Sequence, residues 1–206
     1  MNESVVILAN GRYPEHQVPL KHLNDAERII CCDGAVISLL EAGLTPWAIV
    51  GDMDSVPESL QKEFASVIHR SDDQESNDLT KAFRFAMERG IKRVVILGAT
   101  GHREDHTLGN ISLMAEYLKE ADVRIITDHG IFLPAGNGEV VSSLPGQQVS
   151  LFTPDVSAEI DSEGLKYPLA GRRLTNWWRG TLNEATGTGF ILRYNSNYPV
   201  IVFIPF

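Results

Sequence analysis

The chain has 206 residues, 43% of them hydrophobic and 22% charged, with 18 Lys and Arg against 27 Asp and Glu for a formal charge of −9. That length holds one large domain or two modest ones with real cores, and the acidic balance excludes a nucleic-acid surface, which needs a basic stripe to displace counterions. No apolar run approaches the roughly 18–20 residues that span a bilayer, and Met1-Asn2-Glu3-Ser4 lacks the basic start of a secretory leader, so the expected location is cytoplasmic, with no membrane partner.

The first two-thirds alternate β-branched runs with helix-like stretches, which predicts an α/β fold with a parallel sheet covered on both faces. Strands are predicted over Ser4–Leu8, Arg28–Cys32, Trp47–Val50, Ser66–His69, Arg93–Leu97 and Asp122–Thr127. Helices are predicted over Ala35–Glu41, Pro57–Phe64, Asp78–Arg89 and His106–Lys119. Within Asp78–Arg89, the residues Leu79, Ala82, Phe83, Ala86 and Met87 recur at helical spacing as a core-facing stripe. Gly43 and Gly90 stand where left-handed C-caps are wanted. Cys31 and Cys32 are neighbours, unable to form a relaxed disulfide easily, and read as two buried thiols.

Near Leu133–Gly138, where Pro134, Gly136 and Gly138 crowd together, the character changes. Beyond it Gly138–Leu144, Gln147–Phe152, Ser157–Asp161, Gly189–Tyr194 and Pro199–Ile204 read as antiparallel strands joined by turns. The organisation expected is an α/β domain over 1–133 and a small all-β sandwich over 138–206.

Ligands of open parallel sheets bind beyond the carboxyl ends of the strands. The segments there are Asn10-Gly11-Arg12, Asp33-Gly34, Gly51-Asp52-Met53-Asp54-Ser55, Ser71–Asp78 and Gly98–His106, and nearly all carry a carboxylate, a glycine or both. So many acids on one edge repel one another unless a cation sits among them. Asp52 and Asp54, two apart on an extended segment, point the same way and suit Mg²⁺; taken alone, the same pair also fits a solvated turn with Asp54 or Ser55 capping the next helix. Gly98-Ala99-Thr100-Gly101 leads into a helix and can cradle phosphate, with Arg103 as a fork for it. The alternative for Gly98 and Gly101 is a tight turn, for Asp105 an N-cap, and for His106 packing at the helix start. Lys81 either reaches a phosphate or pairs with Asp78. No P-loop, nucleophile elbow or zinc spacing is present.

Together, Asp33-Gly34-Ala35, Gly51-Asp52-Met53-Asp54-Ser55, Asp73-Gln74 with Asp78-Leu79-Thr80-Lys81, Gly98-x-x-Gly101-x-Arg103-x-Asp105-His106, Gly164–Leu169 and Asn183-Glu184 resemble the thiamine pyrophosphokinases, in family order across almost the whole chain. The resemblance implies a Rossmann-like nucleotide domain, a β-sandwich, and a homodimer with thiamine bound between subunits. It implies pyrophosphoryl transfer from ATP to the thiamine hydroxyl with Mg²⁺. Asp52, Asp54, Asp73, Asp78 and Asp105 would handle metal and ATP, the first four as metal ligands, with Asp33, Gly34, Gln74, Lys81, Gly98, Gly101, Arg103 and His106 around the nucleotide. Asn183 and Glu184 would face the vitamin. Trp177 and Trp178 are candidates to stack on its cationic ring; as neighbours on a strand, only one of them would reach it. Asp73, Asp78 or Asp105 is available to accept the hydroxyl proton. His102 and Leu182 depart from the family pattern, which has a glycine and a serine there. A D-x-D nucleotide-sugar transferase and a non-catalytic nucleotide-binding module are the alternatives.

Overall fold

The computed structural model describes residues 4–206, so the Met1–Glu3 part of the leader expectation lies outside it. The described chain forms two compact units, one ending at Asp128 and the next beginning at His129. No helix among the described residues is long and apolar enough to cross a membrane.

The first unit alternates β1 (Ser4–Leu8), α1 (Gln17–Asn24), β2 (Ile29–Cys32), α2 (Ala35–Glu41), β3 (Ala48–Gly51), α3 (Glu58–Glu63), β4 (Ile68–Arg70), α4 (Asp78–Glu88), β5 (Arg93–Leu97), α5 (Glu104–Tyr117) and β6 (Asp122–Ile126). Its strands pair in parallel in the order β6-β5-β1-β2-β3-β4. The strands are continuous apolar runs because both faces are covered: Ile7, Ile30, Ile49 and Ile96 are fully buried. Cys31 and Cys32 lie buried in β2, and burial pushes the Cys31 thiol up to about 12. Helix α4 buries Leu79, Lys81, Ala82, Phe83, Phe85 and Ala86, so Phe85 joins the predicted stripe while Met87 is only half-buried. Gly90 takes the left-handed C-terminal position at φ 72°.

The strand order reverses between β1 and β5. Each leads into a loop at its carboxyl end, and the chain leaves them in opposite directions across the sheet. That is the place where open α/β sheets gather ligands.

Two elements differ from the predicted set. Helix α1 has no counterpart among the predicted helices; Pro19 occupies its first turn, where its missing N–H is no loss, and His16 Nδ1 caps the helix by accepting from the Val18 N–H at 3.3 Å. Strand β4 lies at Ile68–Arg70, not Ser66–His69, since the Val67 N–H closes a turn onto the Phe64 carbonyl at 2.9 Å.

The second unit contains β7 (Gly130–Ala135), β8 (Val140–Ser142), β9 (Gln148–Phe152), β10 (Glu159–Glu163), β11 (Arg172–Arg173), a 3₁₀ turn at Trp177–Gly180, β12 (Asn183–Glu184), β13 (Gly189–Tyr194) and β14 (Val200–Pro205). β7-β14-β9-β12 and β11-β10-β13-β8 are both antiparallel. One core takes Val149, Leu151, Val200 and Val202 from the first set and Val141, Ile160, Phe190 and Leu192 from the second. The boundary expected near Leu133–Gly138 falls earlier, between Asp128 and His129, and Pro134 lies within strand β7 opposite Ile201. Trp177 and Trp178 are on the 3₁₀ turn, so the strand alternation expected for them does not apply.

Candidate active site

A cleft of about 370 Å³ opens at the β1/β5 reversal, lined by the loops after β1, β3 and β5 and by the first turns of α4 and α5. A larger cavity of about 490 Å³ lies elsewhere in the unit, beside α1 and without these loops; the chemistry-bearing residues select the smaller one. Asp52, Asp73, Gln74, Asp78, Lys81, Arg103 and His106, all expected from the sequence, line the cleft together with His102.

The close carboxylate group is Asp33, Asp52 and Asp54, whose ligand atoms lie within 4.8 Å of one another. Asp33 follows β2 and Asp52 follows β3, so parallel pairing of these strands brings together acids that are far apart in sequence. The backbone is left-handed at Asp33 (φ 43°) and Met53 (φ 69°), an uncommon conformation for residues with a Cβ and one that accumulates at functional sites. One Asp33 oxygen accepts the Ser55 N–H at 3.2 Å, while its Oδ1 is buried without a hydrogen-bond partner. Burial pushes the Asp33 carboxyl up by more than the Ser55 hydrogen bonds pull it down, and Asp78 and Asp54 add to the rise. A buried orphan oxygen beside two more carboxylates is the donor set a hard divalent cation takes.

Asp73 and Asp78, expected beside Asp52 and Asp54 as metal ligands, stand apart from this close group. The Asp73 carboxylate is held by the Ser76 hydroxyl, the Glu75 N–H and Arg84, contacts that hold it below the usual carboxylate range. Asp78 accepts from Lys81 Nζ at 3.0 Å. Lys81 is buried, which opposes its charge, yet Asp78, Asp52 and Asp73 outweigh that and leave its pKa raised. Lys81 therefore does both things its position allowed, pairing with Asp78 and lining the cleft.

On the α5 side Asp105 is clasped by Arg103, with Nε donating at 3.0 Å, and its carboxyl is held down to about 2 by that fork and the His106 N–H. Arg103, not Asp105, occupies the N-cap position and its side chain makes no cap hydrogen bond, while the Asp105 carboxylate holds only the His106 N–H of the first turn. That helix end is therefore available to anionic oxygens.

The glycines knit the loops. The Gly11 N–H donates to the Gly98 carbonyl and the Arg12 N–H to the Thr100 carbonyl, both at 2.8 Å. A Cβ on Gly11 would stand 2.3 Å from the Gly98 oxygen. Gly98 and Gly101 thus bring the β1 and β5 loops into contact, and Gly34 packs a hypothetical Cβ at 2.9 Å from the Asn10 amide. Asn77 and Asn110 were not singled out from sequence. Asn77 Oδ1 caps α4 through the Thr80 N–H (2.9 Å), its Nδ2 donates to Asn110 Oδ1 (3.2 Å), and Asn110 Nδ2 donates to the Ala99 carbonyl (2.9 Å). The cap is legible at Asn77; nothing in the sequence marks Asn110.

In the second unit, Asn183 is buried. Its Oδ1 accepts from the Tyr167 and Glu184 N–H groups, and its Nδ2 donates to the Tyr167 carbonyl at 2.8 Å. Glu184 pairs with Lys166 at 2.9 Å. Trp178 is exposed with Arg179 over its ring, Trp177 meets Phe152 edge-on at 6.0 Å, and Leu182 is exposed in a left-handed conformation, φ 58°.

Comparison with known proteins matches residues 20–127 to the thiamin pyrophosphokinase catalytic domain and residues 130–203 to the thiamin pyrophosphokinase substrate-binding domain. The chain belongs to the thiamin pyrophosphokinase family. The thiamine pyrophosphokinase of Bacillus subtilis is 29% identical over 184 residues, covering 84% of this chain and 85% of the relative. Thiamin pyrophosphokinase 1 of Caenorhabditis elegans is 26% identical over 211 residues, covering 94% and 86%. The crystal structure of the B. subtilis thiamine pyrophosphokinase superposes with a TM-score of 0.78 at 24% identity, covering 98% of each chain. That of Candida albicans thiamin pyrophosphokinase does so with a TM-score of 0.77 at 20% identity, covering 99% of this chain and 89% of the other. The mixed α/β fold with its antiparallel C-terminal region is thus the thiamin pyrophosphokinase fold. Apart from Ala9, Asn10 and Gly11, the residues lining the cleft fall within the stretch matched to the catalytic domain, and Trp177, Trp178, Asn183 and Glu184 fall within the stretch matched to the substrate-binding domain.

Proposed function

We propose that this chain transfers the terminal pyrophosphoryl group of ATP to the hydroxyl of thiamine, giving thiamine diphosphate and AMP. What carries this reading is the divided chemistry of one cleft. Asp52, with Asp33 and Asp54 beside it, supplies an anionic site, while Arg103 and Lys81, with the imidazoles of His102 and His106 beside them, supply charge and hydrogen-bond donors for anionic oxygens. A polyphosphate with a divalent cation needs both.

Asp33, Asp52 and Asp54 would hold Mg²⁺, with Asp73 and Asp78 next on the wall to reach the cation or its waters. Held by these carboxylates, the cation would supply neutralisation of charge on the phosphate oxygens. Lys81, Arg103 and His106 orient the phosphates, and Asp105 fixes the Arg103 fork that does so. Asp33-Gly34, Gln74, Gly98 and Gly101 shape the nucleotide pocket. In the proposed β-sandwich domain over 138–206, the exposed Trp178 or Trp177 meets the thiazolium ring, and Asn183 and Glu184 frame the vitamin. Catalysis runs in a cytoplasmic homodimer with thiamine at the subunit interface, the α/β domain over 1–133 being Rossmann-like.

The test is to incubate the protein with ATP, Mg²⁺ and thiamine and separate the products. AMP with thiamine diphosphate is expected; ADP refutes pyrophosphoryl transfer, and no thiamine-dependent turnover favours a binding module. Asp52→Asn and Asp54→Asn are each expected to cut turnover by orders of magnitude with the fold intact.

A further inference from the structure

Helix α3 buries none of its side chains, and β4, which ends the strand order, is three residues long. Apolar contact, limited to half-buried Leu60 and Ile68 and to His69 against Phe85, and the pairing of β4 with β3 therefore hold these elements only in part. Their polar side chains converge instead on the loop that carries Asp52 and Asp54. Gln61 Nε2, from α3, donates to the Met53 carbonyl at 3.0 Å and to the Val56 carbonyl at 2.7 Å. Arg70 Nη1, at the end of β4, donates to the Asp52 carbonyl at 2.8 Å, and Arg70 Nη2 donates to Gln61 Oε1 at 3.0 Å, locking the two side chains together. Three carbonyls of a short loop are thus captured by two mutually bonded side chains. The amides of the same loop are held by carboxylates: the Ser55 N–H by Asp33 and the Asp54 N–H by Asp52.

The loop needs such restraint. Met53 at φ 69° is held in a backbone conformation uncommon for a residue with a Cβ, and carboxylates within 4.8 Å of one another repel. We infer that Gln61 and Arg70 are positioning residues of the cation site, a clamp that keeps the Asp52–Val56 loop in its cation-ready shape against the repulsion of its own acids. This rests on the reading of Asp33, Asp52 and Asp54 as a divalent-cation site. Neither clamp residue lines the cleft, so neither contacts the nucleotide there.

The experiment is Mn²⁺ titration of the nucleotide-free full chain by electron paramagnetic resonance, alongside hydrogen–deuterium exchange of residues 51–56. Gln61→Glu keeps the acceptor for Arg70 and removes the donor to both carbonyls; Gln61→Ala removes both. Each is expected to weaken Mn²⁺ binding by about 10–100-fold, the range for partners that orient metal ligands, and to speed exchange in the loop. Arg70→Lys, which retains one donor for the Asp52 carbonyl, is expected to lose less than Arg70→Ala. Lys62→Ala, an exposed change on the same helix, is expected to bind like the unaltered chain. Wild-type Mn²⁺ affinity in both Gln61 variants, while Asp52→Asn abolishes binding, overturns the clamp and leaves the cation site standing. Wild-type affinity in Asp52→Asn overturns the cation site and with it the clamp's purpose.

Discussion

Replacing Asp33 with Asn gives the most direct test of how the carboxylate cluster works. Two unit charges 4.8 Å apart repel by about 3.5 kcal/mol at an effective dielectric of about 20 and by about 0.9 kcal/mol in water. Asp33 is buried, Asp52 half-buried and Asp54 exposed, so the relief on neutralising Asp33 falls between these limits, at about 1–3 kcal/mol. Asn keeps an oxygen for the Ser55 N–H and exchanges one unpartnered buried polar atom for another, a near cancellation. In EDTA, Asp33→Asn is therefore expected to melt roughly 2–10 °C above the unaltered chain. The sign agrees with linkage. The folded-state pKa of Asp33 is raised above 3.8, so the folded chain binds more protons in that window and the metal-free protein loses stability as pH rises through it; the variant lacks that loss. Mg²⁺ at about ten times its Kd stabilises the unaltered chain by about 1.4 kcal/mol, whereas Asp33→Asn is expected to show little response. Differential scanning fluorimetry in EDTA and in Mg²⁺ reads both effects. A variant that melts lower in EDTA, or that keeps the full Mg²⁺ shift, refutes the reasoning.

Gly11→Ala places a methyl against the Gly98 and Thr100 carbonyls; a loss of about 1–3 kcal/mol with weaker ATP binding is expected by calorimetry, and wild-type ATP affinity would show that the loop junction does not shape the nucleotide pocket. Asn183→Ala strips the Tyr167 N–H and carbonyl of their partner, a loss of about 2–4 kcal/mol in chemical unfolding. Trp178→Ala is expected to leave stability within about 0.5 kcal/mol and raise the thiamine KM, while Trp177→Ala, packed on Phe152, lowers stability as well; equal and negligible KM effects would remove both from the vitamin site. Asp105 is held at about 2 by Arg103, so what it contributes is present above its ordinary 3.8 and is lost as pH falls to about 2. In Arg103→Ala a carbon-13 carboxyl titration is expected to move it back toward 3.8, and an unmoved midpoint would show that the His106 amide, not the fork, sets it.

Several elements could be read directly: Ser4–Leu8, Ala35–Glu41, Arg93–Leu97 and Gly189–Tyr194 have the bounds expected of them, because each is an apolar run or stripe whose period matches one structure. Helix α1 and strand β7, which have no counterpart among the predicted elements, each contain a proline. Pro19 sits harmlessly in a first turn, and Pro134 lies inside a strand that the pairing with Val200–Pro205 holds in place. At the cleft, Asp52 and Arg103 were legible as loop residues, and Asp78 and Lys81 as first-turn residues of a helix, beyond strand ends. The grouping of Asp33 with Asp52 and Asp54 was not, since it depends on β2 pairing with β3 and on left-handed turns at Asp33 and Met53 that no local signal announces. Nor was the role of Gln61, an unremarkable helix residue until its amide is seen bridging two carbonyls.

The buried pair Cys31 and Cys32 gives this protein a built-in clock. Both thiols are the chain's only ones, both sit in a strand between β1 and β3, and burial raises their pKa values so far that essentially no thiolate exists at neutral pH. A maleimide can reach Cys31 only when β2 becomes exposed, so the rate of its alkylation counts openings of the sheet. Cys32 also lines the cleft. A ligand that fills the cleft therefore slows that clock whether or not any reaction follows, and binding becomes measurable by mass shift in a crude extract, independent of turnover.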